Sequence, residues 1–372
     1  MKRLYYLDNL RIFLSILVVL HHVGIAYSSM GSWCYVTGET MKVPVQVFLS
    51  AIFGIESIFS MSLFFFISAY FTPQSLDKKG SKQFLKGQFI RLGIPLLFVM
   101  LFLAPGLLFA IEKYNGTTNL SLLNYIWIQI SKYPTTSHAW FVLVLIGFEC
   151  IYVLYRKLMK ESLSKLISDK VPSHFHILIF IVICGLTSFT VRQFYPIGKN
   201  FIGLQFGNFT LYIFMYALGI LVRRKNWLEA LALKIYKSWF VLVLILTQLF
   251  GFAMNQVFKN PSIMNRFVGG LYWEGFVFAF GETIICIGFC AFLLVAFKKL
   301  ADFSGFLLTK MAENRYAVYI IHSIVVVGVT ILLEFTGGTQ FLLFCLACVI
   351  SIAGSFLLGY ILRLIPTVKR IL

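Results

Sequence analysis

Charge is scarce in this sequence, and negative charge is scarcest. Of 372 residues only 12% are charged, with 14 Asp and Glu against 32 Lys and Arg. A soluble chain of this length carries about 25% charged residues. That shortage excludes a soluble fold, and a 59% hydrophobic content with mean hydropathy +0.87 points to a polytopic membrane protein. No cleavable leader is expected: MKRLYYLDNLR runs straight into a full-length apolar span, with no small-residue cleavage site after it. No internal repeat, low-complexity tract or soluble catalytic domain interrupts the chain. Residues 1–372 are therefore expected to form one all-α membrane domain. All seven cysteines except Cys34 lie in apolar runs. The C-x-x-C of Cys345 and Cys348 has no nearby ligands, so packing is its expected role and no metal site is expected.

What is abundant is apolar length. Ten stretches reach the roughly 20 apolar residues that a membrane crossing needs: residues 10–29, 47–71, 90–111, 139–155, 175–191, 205–222, 239–257, 275–297, 316–335 and 340–364. With the N-terminus in the cytoplasm, 24 lysines and arginines fall in cytoplasmic segments and seven in the opposite loops, and Arg11 lies within a span. Lys and Arg concentrate on the cytoplasmic side of membrane proteins. The count therefore predicts both termini in the cytoplasm. It also accounts for most of the net charge of +18 without a nucleic-acid partner.

The first span carries an anomaly. LDNLRIFLSILVVLHHVG, residues 7–24, holds Arg11, His21 and His22, and ionisable groups inside a bilayer are expensive and mostly functional. At about 100° per residue, Arg11 and His22 lie about 20° apart around the helix and about 16 Å apart along it. Asp8 and Ser15 fall within about 60° of Arg11, whereas His21 points about 80° away. The plain interpretation is an interfacial Asp8–Arg11 pair at i, i+3 and a packed neutral histidine. The shared face favours a functional pair instead, with His21 a bystander. Imidazole, with an unperturbed pKa of about 6.5, suits proton removal from a hydroxyl near neutral pH.

At these residues the chain resembles acyltransferase family 3, a group of multispan membrane enzymes. Arg11-x10-His22 is similar to the family's Arg/Lys-x10-His signature. FFFISAYFTP (64–73) resembles its FFxxSGY/F segment, and FLKGQFIRLGIPLLF (84–98) its RxxRLxxP segment. HAWFVLVL (138–145) resembles its H-x-WFL segment, and YAVYIIH (316–322) its Tyr-x-x-Tyr-Leu-x-His segment. The opening YLDNLRIFL with LHH is most similar to the subgroup that includes glucan-succinylating enzymes. Two positions depart from the pattern. Ala69 replaces a glycine, and Gln88 replaces the first arginine of RxxR, leaving Arg91 with Lys82 or Lys86. The second departure bears on donor identity or affinity, because a lysine lacks the bidentate geometry of arginine.

The resemblance implies transfer of an acetyl, succinyl or similar group from cytoplasmic acyl-coenzyme A, a co-substrate rather than a bound cofactor, to a hydroxyl of a cell-envelope or exported glycan. His22 would be the general base. Arg11, oriented by Asp8, would hold a phosphate or polarise the thioester carbonyl. A covalent acyl-histidine is the alternative route. Arg91, Lys86, Tyr319 and His322 are the donor-binding candidates, the last two placed near the cytoplasmic end of span 9. His138 and Trp140 are acceptor-side candidates, although an interfacial aromatic anchor is the plain interpretation of Trp140. Ser68 lacks the G-x-S-x-G elbow of an esterase nucleophile and is as readily a small packing residue. Glu56, Glu149 and Glu282 lie inside spans and must face the interior or a cavity. The expected location is a bacterial cell membrane, multi-pass. A glycan transporter or flippase is the competing class; it lacks paired half-repeats with broken helices here and leaves the Arg11–His22 stripe without a role. A sensor or assembly partner with the same fold is a third.

Overall fold

The computed structural model describes residues 3–28, 33–39, 41–159 and 167–372. Among these are ten helices long and apolar enough to cross a membrane: α1 (Tyr5–Ser28), α2 (Val43–Lys79), α3 (Ser81–Tyr114), α4 (Leu122–Leu158), α5 (His174–Phe194), α6 (Phe206–Lys225), α7 (Leu228–Val257), α8 (Trp273–Leu300), α9 (Phe306–Glu334) and α10 (Gln340–Leu362). Each expected span overlaps one of them, and no β-sheet occurs among the described residues. Even-numbered crossings return the chain to its starting side. The face carrying the start of α1 and the end of α10 is called the terminal face below. Lys2, Lys160 and Lys165 of the charge count lie outside the described residues.

Most helices run further than the apolar runs alone suggested. α9 begins at Phe306, ten residues before the expected start. Lys310, Glu313, Asn314 and Arg315 all favour or tolerate helix, and Lys310 faces Glu313 one turn on at 3.6 Å. Tyr319 and His322 therefore lie about 20 and 24 Å along α9, well inside the bundle and not at its end. A second difference is in α4, where the helix is broken. Leu122–Lys132 and Trp140–Leu158 are helical, with an unwound segment and a short 3₁₀ turn, Ser137–Ala139, between them. Pro134 removes a backbone donor there, and Ser137 has a left-handed φ of +48°. α3 contains two wide π-helical turns, Phe89–Gly93 and Val99–Leu103, on either side of Pro95. The first of them carries Arg91.

α1 is the axis of the bundle, packed against α2, α8, α9 and α10. A central helix can bear a polar stripe, because its polar groups meet protein and not lipid. α2 lies close against α6. A Cβ on Gly219 would fall 2.4 Å from the Phe66 carbonyl oxygen and 2.8 Å from the Ala69 Cβ. Glycine at 219 is thus what leaves room for the methyl group at position 69, and the departure at Ala69 is absorbed by packing. Apolar side chains such as Val241, Leu249, Phe252, Leu332 and Val349 are exposed on the outer helices, as a lipid-facing surface requires.

Candidate active site

Three histidines from three helices converge at mid-bundle. His22 (α1) and His322 (α9) have ring centroids 4.8 Å apart, and His138 (α4) lies 5.0 Å from His322. The chain assigns their protons. His322 Nδ1 is 2.7 Å from the Tyr319 carbonyl, which only accepts, so Nδ1 bears the hydrogen and Nε2 a lone pair. That lone pair faces His22 Nδ1 at 3.1 Å, and His22 Nδ1 is also 2.8 Å from the Val18 carbonyl. Both contacts require a proton on His22 Nδ1. His22 Nε2 is left as the basic nitrogen. His138 Nε2 likewise donates to the Ile320 carbonyl at 2.9 Å, and the Tyr319 hydroxyl donates to the His138 carbonyl freed by the break in α4. His322 and Tyr319 thus position His22 and His138. At that depth they stand apart from the arginines of the terminal face.

This geometry gives a measurable expectation. His322→Ala removes the acceptor that holds the His22 Nδ1 proton, so the rate should fall about 10- to 100-fold, in the manner of an outer partner of a catalytic group. His322→Gln, which retains an acceptor oxygen, should recover part of the loss. Equal damage by both, with unaltered dependence of rate on pH, would mean that His322 only fills space.

Trp33 lies over His22, its ring centroid 4.0 Å from the imidazole, and its buried Nε1–H has no partner among the described residues. His21, off the Arg11–His22 face, has its Nδ1 2.7 Å from Glu56 Oε2. His21, His22 and Glu56 all line a cavity of about 690 Å3 that opens at the face opposite the termini. Trp140 and Tyr212 supply aromatic walls; Asn200, Gln205, Asn208 and Glu282 supply polar ones. Glu282 is held by Arg192 at 2.5 Å, and Arg192 also donates to the Gly207 carbonyl. Arg192, one position past the expected span 175–191, is within α5 and 2% exposed. Cys34 also lines the cavity; burial pushes its thiol up to about 12, so it stays protonated near neutral pH and unsuited to carry an acyl group.

The terminal face is cationic. Arg11 reaches the Ile67 carbonyl at 3.5 Å and stacks over the Phe71 ring at 4.6 Å, both on α2. Asp8 is turned to Arg3 at 2.8 Å and Arg315 at 3.7 Å; its influence on Arg11 is through charge alone. Arg11 and Arg315 each lie within electrostatic range of Arg91, and Arg315 within that of Arg3 and Arg363. Arg3, Arg11 and Arg315 thus gather around Asp8, with Arg91 and Arg363 in electrostatic range of Arg315, a setting that attracts anions. Lys86 is exposed at the edge of α3. Gln88 points elsewhere: its side-chain amide donates to buried Glu149 of α4 at 2.9 Å. Position 88 therefore serves α3–α4 packing. Ser68 is half-buried, next to the carbonyl that Arg11 approaches and outside the cavity lining.

The acyltransferase domain of family 3 matches residues 4–360. The chain belongs to acyltransferase family 3. It is similar to glucans biosynthesis protein C of Shigella dysenteriae serotype 1 (strain Sd197), 25% identical over 364 residues, covering 89% of this chain and 91% of the relative. Glucans biosynthesis protein C of Escherichia coli (strain K12) is 25% identical over 370 residues with the same coverage. No solved structure matches it. The protein is a multi-pass bacterial membrane O-acyltransferase.

Proposed function

We propose that this acyltransferase takes an acyl group from coenzyme A at the terminal, cytoplasmic face and places it on a glycan hydroxyl in the cavity of the opposite face. One observation carries this reading: His22 lines the cavity with Nε2 unprotonated, while the arginine cluster lies about 16 Å down the same helix. The phosphates of the donor bind Arg11, Arg91 and Arg315 as anions among guanidinium groups. At that distance Arg11 serves the phosphates and not the thioester carbonyl. His22 Nε2 removes the proton of the acceptor hydroxyl as its oxygen bonds to the acyl carbon. Val18 and His322 then stabilise the imidazolium through Nδ1–H. The carbonyl oxygen gains charge as the tetrahedral adduct forms, and Trp33 Nε1–H is an unsatisfied donor beside it. Collapse of the adduct expels the thiolate of coenzyme A, which takes the proton from the His22 imidazolium Nε2 and departs toward the cytoplasm as the thiol, leaving Nε2 basic again. A glycan acceptor is supported by the aromatic and amide-rich lining and by the glucans biosynthesis proteins the chain resembles.

Membrane vesicles given acyl-labelled coenzyme A test this. Label should appear on glycan, and Arg315→Ala should raise the donor KM about tenfold with a smaller change in kcat, as loss of a charge-assisted contact predicts. Movement of unmodified glycan without label transfer would favour the transporter reading.

A further inference from the structure

Trp33 offers its unpartnered Nε1–H beside His22, yet it lies outside the helices: residues 33–39 contain neither helix nor strand. A donor that meets a developing charge has to be held to within about 0.5 Å, and a loop does not supply that by itself. Here the support comes from the far end of α9. Two positions after Trp33, the Tyr35 hydroxyl donates to Glu334 Oε2, and the Gly38 N–H donates to Oε1 of the same carboxylate at 3.3 Å. Glu334 is the last residue of α9. The Thr37 N–H donates to the Ala26 carbonyl of α1 at 2.9 Å. Tyr35 is 7% exposed, and it packs with Trp33, Ile111 and Val327 in one apolar cluster. Helix electrostatics do not explain Glu334, because a carboxylate at a helix C-terminus opposes the dipole. Its two bonds to the loop do.

Resting on the acyl-transfer reading and its use of the Trp33 N–H, we infer that Glu334 is a positioning residue for catalysis, gripping Tyr35 and Gly38 so that the Trp33 ring stays over His22. Only two residues, at most about 7 Å of chain, separate Trp33 from the Tyr35 anchor. Glu334 lies twelve residues beyond His322, about 18 Å along α9, and far from the reacting atoms. One helix thereby sets the base from two points. His322 faces the His22 Nδ1 proton, and Glu334 fixes the indole whose centroid is 4.0 Å from the imidazole. A bond from the indole to the adduct is made in the transition state, so loss of the grip lowers kcat and spares KM.

The test is a cycle of variants in the solubilised full-length protein. Radiolabelled acetyl-CoA and succinyl-CoA are offered in turn, with a linear glucose oligosaccharide as acceptor probe, and the donor that the wild type transfers faster is kept. Trp33→Phe retains an aromatic ring and loses the N–H, so kcat should fall about 10²-fold. Glu334→Ala removes both acceptor oxygens and should lower kcat about 10- to 100-fold, with little change in either KM. Tyr35→Phe keeps the buried ring and should give a smaller loss of the same kind; it carries the test if Glu334→Ala fails to fold. In a Trp33→Phe background neither change should lower kcat further, because the donor they position is gone. Equal losses in both backgrounds, or unaltered kcat in both single variants, would overturn the inference and leave acyl transfer standing. Wild-type kcat in Trp33→Phe would overturn it too, by removing the donor. No label transferred by the wild type from either donor would overturn the acyl-transfer reading, and this inference with it.

Discussion

Replacing His22 with alanine should abolish acyl transfer while the protein still folds into the membrane. Three features set the size of the effect. His22 is the cavity-lining histidine whose tautomer is fixed, by the Val18 carbonyl and His322 Nε2, to leave Nε2 basic. The neighbouring histidines have their basic nitrogens engaged: the His322 Nε2 lone pair faces His22 Nδ1, and His138, with its Nε2–H on the Ile320 carbonyl, turns Nδ1 to the Ser137 hydroxyl at 3.5 Å. His21 faces Glu56 with its ring at 84° to that of His22. Loss of a general base costs about 10²- to 10⁴-fold, so transfer from labelled acyl-CoA should fall to background. α1 buries much of its apolar surface elsewhere, so amount and elution of the solubilised variant should match the wild type. Full activity in a well-folded His22→Ala protein would overturn the assignment.

The fold was legible because its signal is long and one-dimensional. Twenty apolar residues mark a crossing regardless of what packs around them, and all ten were found. Their ends were less legible. Hydropathy registers lipid contact, while helix continues through polar residues such as Lys310 and Arg315 that favour it. That error shifted α9 by ten residues, and with it the depth of His322. The Arg11–His22 face was legible because both lie on one helix, where angle follows from spacing. Contacts between helices do not follow from spacing. The approach of His21 to Glu56, 35 positions on, is hidden because the two are not neighbours in sequence. The 182 positions between His138 and the Ile320 carbonyl hid that bond equally well. Arg315 was visible as a basic residue, but its convergence with Arg11 and Arg91 needs three helices in place. The break in α4 has a sequence signal, the run YPTTS at 133–137, in which a proline, two threonines and a serine interrupt an apolar stretch.

Glu282→Ala should destabilise the protein more than any other single change on the cavity wall. Arg192 is 2% exposed and donates to Gly207 and Glu282 only, with its third nitrogen, Nη1, unpartnered among the described residues. Removing the carboxylate leaves a guanidinium buried without a counter-charge, which costs about 3–5 kcal/mol, and lipid offers no solvent to relieve it. Solubilised Glu282→Ala should therefore unfold at a Tm well below that of the wild type in a size-exclusion thermal series. The double variant Arg192→Met, Glu282→Met should recover most of that loss, because replacing both members of a buried pair by apolar groups is often neutral or stabilising. A Glu282→Ala protein as stable as the wild type would mean that Arg192 finds another partner. The double variant also separates two roles. The pair ties α5 to α8 and to the carbonyl at the start of α6, and Glu282 lines the cavity. If the stable double variant transfers acyl groups with an unaltered KM for acceptor, the pair serves architecture alone; a raised acceptor KM at unchanged stability assigns the Glu282 carboxylate to acceptor binding.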